Sequence, residues 1–123
     1  MKVLVLIFLT MVVFISSFGC NQPTETKAIT IIYPHLVSPY NGSTNISTEP
    51  LFKWTNSVHK IQLSLFPSFN NVIYSADISG NQYQMPSHVL QNGVTYYWRV
   101  GLISGNSTFW SPETYFFSTA AGN

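Results

Sequence analysis

The apolar residues of this chain follow two patterns. Val3 to Ile15 form a nearly continuous hydrophobic run behind Lys2, whereas from Ile29 onward apolar and polar residues alternate in short stretches. Alternation of period two is the signature of a half-buried strand, because successive side chains point to opposite faces. In Leu51-Phe52-Lys53-Trp54 it sends Phe52 and Trp54 to one face and Lys53 to the other. In Lys60 to Leu65 the inward set is Ile61, Leu63 and Leu65, and in Thr95 to Leu102 it is Tyr96, Trp98, Val100 and Leu102. The last stretch, Thr114 to Ser118, buries Tyr115 and Phe117 and exposes Phe116.

Turn formers separate these stretches: Ser38-Pro39-Tyr40-Asn41-Gly42, Asn70-Asn71, Ser79-Gly80-Asn81, Met85-Pro86, Asn92-Gly93, Ser104-Gly105-Asn106 and Ser111-Pro112. Gly and Asn tolerate positive φ, and Pro pre-sets a turn while withholding a ladder donor. No window combines a 3.6-residue period with a good cap. The pattern therefore predicts an all-β sandwich. The inward residues supply enough large side chains for a core without a disulfide.

Composition narrows the function. Beyond the first hydrophobic run, Lys27, Lys53, Lys60 and Arg99 balance Glu25, Glu49, Asp77 and Glu113. No basic patch exists to follow a phosphate backbone, which argues against nucleic acid as a partner. Asn, Ser, Thr, Gln and Tyr carry the soluble surface.

The first run now gains a meaning. It has the length of a signal-peptide core and falls short of the ~20 residues that span a bilayer. It ends at Ser17-Phe18-Gly19-Cys20, and Cys20 is the only cysteine in the chain. These residues resemble the processing site of a bacterial lipoprotein. A lone thiol forms no intramolecular disulfide, but it is what lipidation requires. The resemblance implies a signal peptide at 1–19, a lipidated Cys20 opening a polar tether over 20–33, and an anchor in a membrane of the bacterial envelope. It favours the outer membrane or cell surface over the inner membrane. Ser17-Phe18-Gly19 also fits ordinary secretory cleavage, so secretion is the alternative.

The strand region carries a second resemblance. Leu90, Asn92-Gly93 and Tyr96 followed by alternating Trp98, Val100 and Leu102 look like the E–F corner and F strand of a fibronectin type III domain. Leu36 to Gly42, Pro50 to Trp54, Gln62-Leu63-Ser64 with Phe69, Trp110-Ser111 and Phe117-Ser118-Thr119 extend the likeness, in order, over 34–119, leaving 120–123 as a tail. The resemblance implies a seven-stranded, immunoglobulin-like β-sandwich. It also implies that the Tyr96 hydroxyl donates a hydrogen bond back to the chain near Leu90, as in a tyrosine corner.

Catalytic chemistry finds no setting in the sequence. His35, His59 and His88 lie in separate segments without metal-ligand spacing, so neither a metal nor any other cofactor is expected. Glu49, Asp77 and Glu113 show no pairing motif, and no serine sits in a Gly-x-Ser-x-Gly elbow, so no catalytic residue is assigned. Binding is the better expectation. If the strands of Lys60, Tyr97 and Phe116 are neighbours, then Lys60, Gln62, Tyr97, Arg99 and Phe116 form one outward patch, bordered by Tyr74 from the next strand. Tyr, Phe and Arg are enriched at recognition surfaces. Trp110 is placed over the end of the sandwich, with sugar stacking as the alternative use of its ring. Two functions follow: an anchored module that binds an envelope or extracellular protein or serves as scaffold, and a glycan-binding lipoprotein that stacks sugars on Tyr74, Tyr97, Trp110 or Phe116.

Overall fold

The computed structural model describes residues 30–122. Among them nine strands form: β1 Leu36–Ser38, β2 Ser43–Ile46, β3 Leu51–Trp54, β4 Lys60–Ser64, β5 Val72–Asp77, β6 Gln82–Gln84, β7 Thr95–Ser104, β8 Ser107–Trp110 and β9 Tyr115–Thr119. They make two sheets, one ordered β1-β3-β6 and the other β2-β9-β7-β4-β5, with β8 paired to the far half of β7. The protein is all-β and sandwich-like, and Cys20 lies outside the described residues.

Nine segments appear where seven strands are expected, and turn chemistry is the reason for two of the breaks. Pro39 has no N–H to continue the ladder of β1. The Tyr40–Gly42 turn that follows then carries the chain to the other sheet, where β2 runs parallel to β9. Between β8 and β9, Ser111 closes the gap left by Pro112. Its N–H donates to Val100 O at 2.8 Å, and its Oγ accepts from Val100 N–H at 3.3 Å. Thr95 to Trp98 consequently pair with β9, and Gly101 to Ser104 pair with β8.

The predicted faces of β3, of β4 as far as Leu63 and of β7 as far as Val100 are those observed. Phe52 and Trp54 come from one sheet and Ile61, Leu63, Trp98, Val100 and Phe117 from the other, all buried in a single cluster. Phe52 meets Trp98 and Phe117 edge-on, with centroids 4.8 and 5.8 Å apart. Such geometry suits the ring quadrupole and adds to the burial of area. Two expected members fall outside this cluster: Leu65, just past β4, is exposed, because the register shifts between Leu63 and Ser64 and buries Ser64 in its place, and Leu102 beside the β7–β8 hairpin is only half-buried. Val58, Met85 and Leu90 from connecting segments complete the cluster.

Tyr96 is buried and its hydroxyl bonds to the backbone five residues back, but the polarity is reversed from expectation. Gln91 N–H is the donor and Tyr96 Oη the acceptor, at 2.8 Å. The two core indoles also differ. Trp54 Nε1 donates to Gly80 O at 3.0 Å, whereas Trp98 Nε1 is buried with no acceptor among the described residues.

Candidate functional site

The outward face of β4, β7, β8 and β9 is built by register. Gln62 lies opposite Arg99, Lys60 opposite Gly101, Tyr97 opposite Phe116, and Gly101 opposite Trp110. These pairings bring Lys60, Gln62, Tyr97, Arg99 and Phe116 together as the alternation predicts, and they add Trp110.

Each polar member has a defined partner. Lys60 Nζ bonds Asp77 Oδ1 on β5 at 2.9 Å, so its charge is balanced locally. Arg99 donates from Nε and from Nη2 to the same oxygen, Gln62 Oε1, at 3.1 and 2.8 Å. Its guanidinium carbon sits 4.1 Å from the centroid of Phe69 and 3.9 Å from that of Trp110. The cation is thus held between two aromatic faces, an arrangement worth about 0.5 to 2 kcal/mol per ring. Burial pulls its pKa below the usual arginine value.

The two rings reach Arg99 by different devices. Trp110 stands over Gly101, whose missing side chain makes room: a β-carbon there would lie 2.8 Å from Trp110 Cε3 and 2.9 Å from Thr108 Cγ2. Phe69 comes from the β4–β5 connection and folds over the sheet with φ at +57° and only 9% of its surface exposed. A bulky residue in the left-handed region is strained by about 1 to 3 kcal/mol. Stacking on Arg99 and burial of the ring offset that strain.

Beside this stack, Tyr97 and Phe116 pack with centroids 5.6 Å apart and planes tilted by 42°. Phe116 is clipped at its backbone by the preceding turn of the other chain end. Its N–H donates to Asn41 Oδ1 at 3.0 Å, and its carbonyl accepts from Gly42 N–H at 2.7 Å. Gly42 has φ +84°, a conformation that glycine adopts without cost.

Two expectations need correction. Tyr74 does not border the patch. It pairs in register with Leu63, packs against the core and bonds hydroxyl to hydroxyl with Tyr83 of the other sheet. Ser75 and Asp77 hold the outward positions of β5, and their polarity was the available sequence signal. Trp110 does not cap the end of the sandwich either, because Gly101 opens a slot for it on the sheet face. Phe69 is the residue that sequence reasoning missed as part of the site; a loop residue at positive φ has no periodicity to betray it.

No family model, curated protein or solved structure matches the chain. The site must therefore be read from its own chemistry. Among the described residues no group of three His, Cys, Asp or Glu side chains is placed to hold a metal ion. His59 Nδ1 accepts from Ile103 N–H at 2.9 Å, and His35 faces Glu113 at 3.3 Å between the segment ahead of β1 and the β8–β9 connection. His59 thus ties the β3–β4 connection to β7, and His35 ties its two segments together. Away from this face, a shallow groove of about 610 Å³ is lined by Val37 of β1, Leu51 of β3, Ile46 of β2 and the Pro39–Tyr40 turn, with Lys53 as its one charged residue. It offers apolar contact and no acid–base pair. The outer face offers aromatic area and one rigidly held cation.

Proposed function

We propose that the protein is a lipid-anchored component of the bacterial cell envelope, at the outer membrane or cell surface, whose fibronectin type III-like module serves protein interaction or scaffolding. The observation that carries the binding part is the preorganised outer face, where Arg99 is fixed between Phe69 and Trp110 beside the Tyr97–Phe116 pair. Rigid aromatic and arginine side chains lose little entropy on binding, and they dominate protein interfaces for that reason.

The sheet orders support the module assignment. Strands in two sheets and a buried Tyr96 hydrogen-bonded to the chain beside Leu90 are features the fibronectin-like resemblance leads one to expect. The glycan-binding alternative draws less support. Tyr74 is turned inward, one face of Trp110 is covered by Arg99, and Tyr97 packs against Phe116.

A photo-activatable phenylalanine analogue at position 116, irradiated in the native cell, tests the binding reading. Discrete protein adducts are expected; adducts to polysaccharide alone would refute it. The anchor is tested separately by metabolic labelling with a palmitate analogue. Cys20→Ser should abolish both label and membrane retention, and soluble unlabelled wild-type protein would overturn the anchor.

A further inference from the structure

The outer face contains a cation whose hydrogen-bonding capacity is half used. Gln62 Oε1 occupies the Nε–Nη2 side of Arg99. Nη1 has no hydrogen-bond partner among the described residues, and it is not a buried atom. An arginine carries five N–H donors in a planar fork, so three remain, and two of them form the Nη1–Nη2 edge, which receives a carboxylate in two parallel bonds. No carboxylate of the described residues pairs with it: the ion pairs there are Lys60–Asp77 and His35–Glu113.

The surroundings fix that edge in place. Phe69 and Trp110 hold the plane from both faces, and Gln62 fixes its rotation. Phe69 does so from a strained backbone conformation. Strain at a bulky residue persists only where the neighbouring structure over-determines it, and here the stack on Arg99 is what it brings about. Burial disfavours the charged guanidinium, and the missing element is a counter-ion.

We propose that the open edge of Arg99 is the receptor for a carboxylate side chain of a protein partner, with the Tyr97–Phe116 pair receiving an apolar side chain two residues away on the same extended segment. The spacing follows from β7 itself. Tyr97 and Arg99 are i and i+2 on one face of a strand, about 6.6 Å apart, and alternate side chains of an extended peptide have the same separation. Charge complementarity selects the acid, and the neighbouring aromatic area selects a protein segment over a free anion. This inference rests on the protein-interaction reading above and specifies the partner's chemistry.

The test uses the full chain in neutral detergent and a peptide with blocked ends, Phe-Thr-Glu, whose single carboxylate is the glutamate side chain. Its Gln analogue and free glucuronate are the comparison arms. The Arg99 Nε–H and Trp110 indole N–H resonances report occupancy. Saturable shifts are expected with Phe-Thr-Glu, and binding about tenfold or more weaker is expected with Phe-Thr-Gln, since bonds to a charged group carry that discrimination. Arg99→Lys, which keeps the charge but loses the fork, should weaken the Glu peptide by a similar factor. Equal binding of the Glu and Gln peptides, or none by either, overturns the inference without reference to any variant. Shifts with glucuronate and not with the peptide would overturn the protein partner in favour of an acidic glycan. Protein adducts at position 116 in the cell, together with no carboxylate dependence here, would sink this inference alone and leave the interaction reading standing.

Discussion

Gly101→Ala adds one methyl group to a strand, and the outer face makes its effect unusual. Local propensity favours the change, because alanine in a strand is about 0.5 to 1 kcal/mol better than glycine and Gly101 has no positive φ to protect. Packing opposes it. The new carbon would lie 2.8 and 2.9 Å from Trp110 ring atoms and 2.9 Å from Thr108 Cγ2. Ordinary carbon contacts are about 3.5 to 4 Å, so the indole must lift by the better part of an ångström. It cannot do so and keep its 3.9 Å stack on Arg99. Overpacking costs about 1 to 3 kcal/mol and the weakened stack about 0.5 to 2. After the propensity gain, a net loss near 2 kcal/mol is expected. Urea unfolding followed by tryptophan fluorescence would show it as a midpoint lower by about 1 M, with a slope of order 1 to 2 kcal/mol per M. In a background carrying Trp110→Ala and Thr108→Ser the clash is absent, and the same methyl should become neutral or stabilising. A Gly101→Ala variant as stable as its parent, or one destabilised equally in both backgrounds, would refute the slot.

Other perturbations separate residues that look alike in sequence. Tyr96→Phe orphans the Gln91 N–H and should cost about 1 to 2 kcal/mol, whereas Tyr97→Phe should stay within about 0.5 in the same denaturant series; the reverse order would mean that the register of β7 is wrong. Trp98→Phe removes a donor that has no acceptor, while Trp54→Phe removes one of the two donors to Gly80 O, which keeps only the Val58 N–H at 3.1 Å, so the calorimetric melting temperature should fall less for Trp98 than for Trp54. Tyr83 has its pKa raised to about 12 by burial first and by its bond to Tyr74 second. Because the unfolded tyrosine ionises near 10, the stability it contributes is intact below pH ~10 and is lost as pH rises toward 12. An ultraviolet titration should show a tyrosinate step near pH 12 that Tyr83→Phe abolishes.

What the sequence made legible, and what it hid, divides along physical lines. Stretches with strict alternation, such as Lys60 to Leu63 and Tyr96 to Val100, revealed both faces, since burial on one side enforces the period, whereas the register shift after Leu63 left no trace in the pattern. Tyr74 was misplaced because an aromatic residue is at home on either face, and only pairing with Leu63 decides the matter. Trp110 and Gly101 form one feature written at two positions. A glycine in mid-strand signals close approach, but the sequence does not say by whom. The Phe69 ring reaches Arg99 through a connection whose path no periodic pattern encodes. The core was therefore readable, and the outer face was readable only in its regular part.

The parallel pairing of β2 with β9 has a mechanical consequence. These strands lie near the two ends of the described chain and point the same way, joined by bonds such as Gly42 N–H to Phe116 O and Ala120 N–H to Ile46 O. A pull that draws the N-terminal side backward and the C-terminal side forward acts along both strands and across those bonds. The bonds then bear the load together instead of opening one at a time, as they would in a hairpin peeled from its end. A body tethered at its start and held by a partner at its far side would resist tension through this seam first.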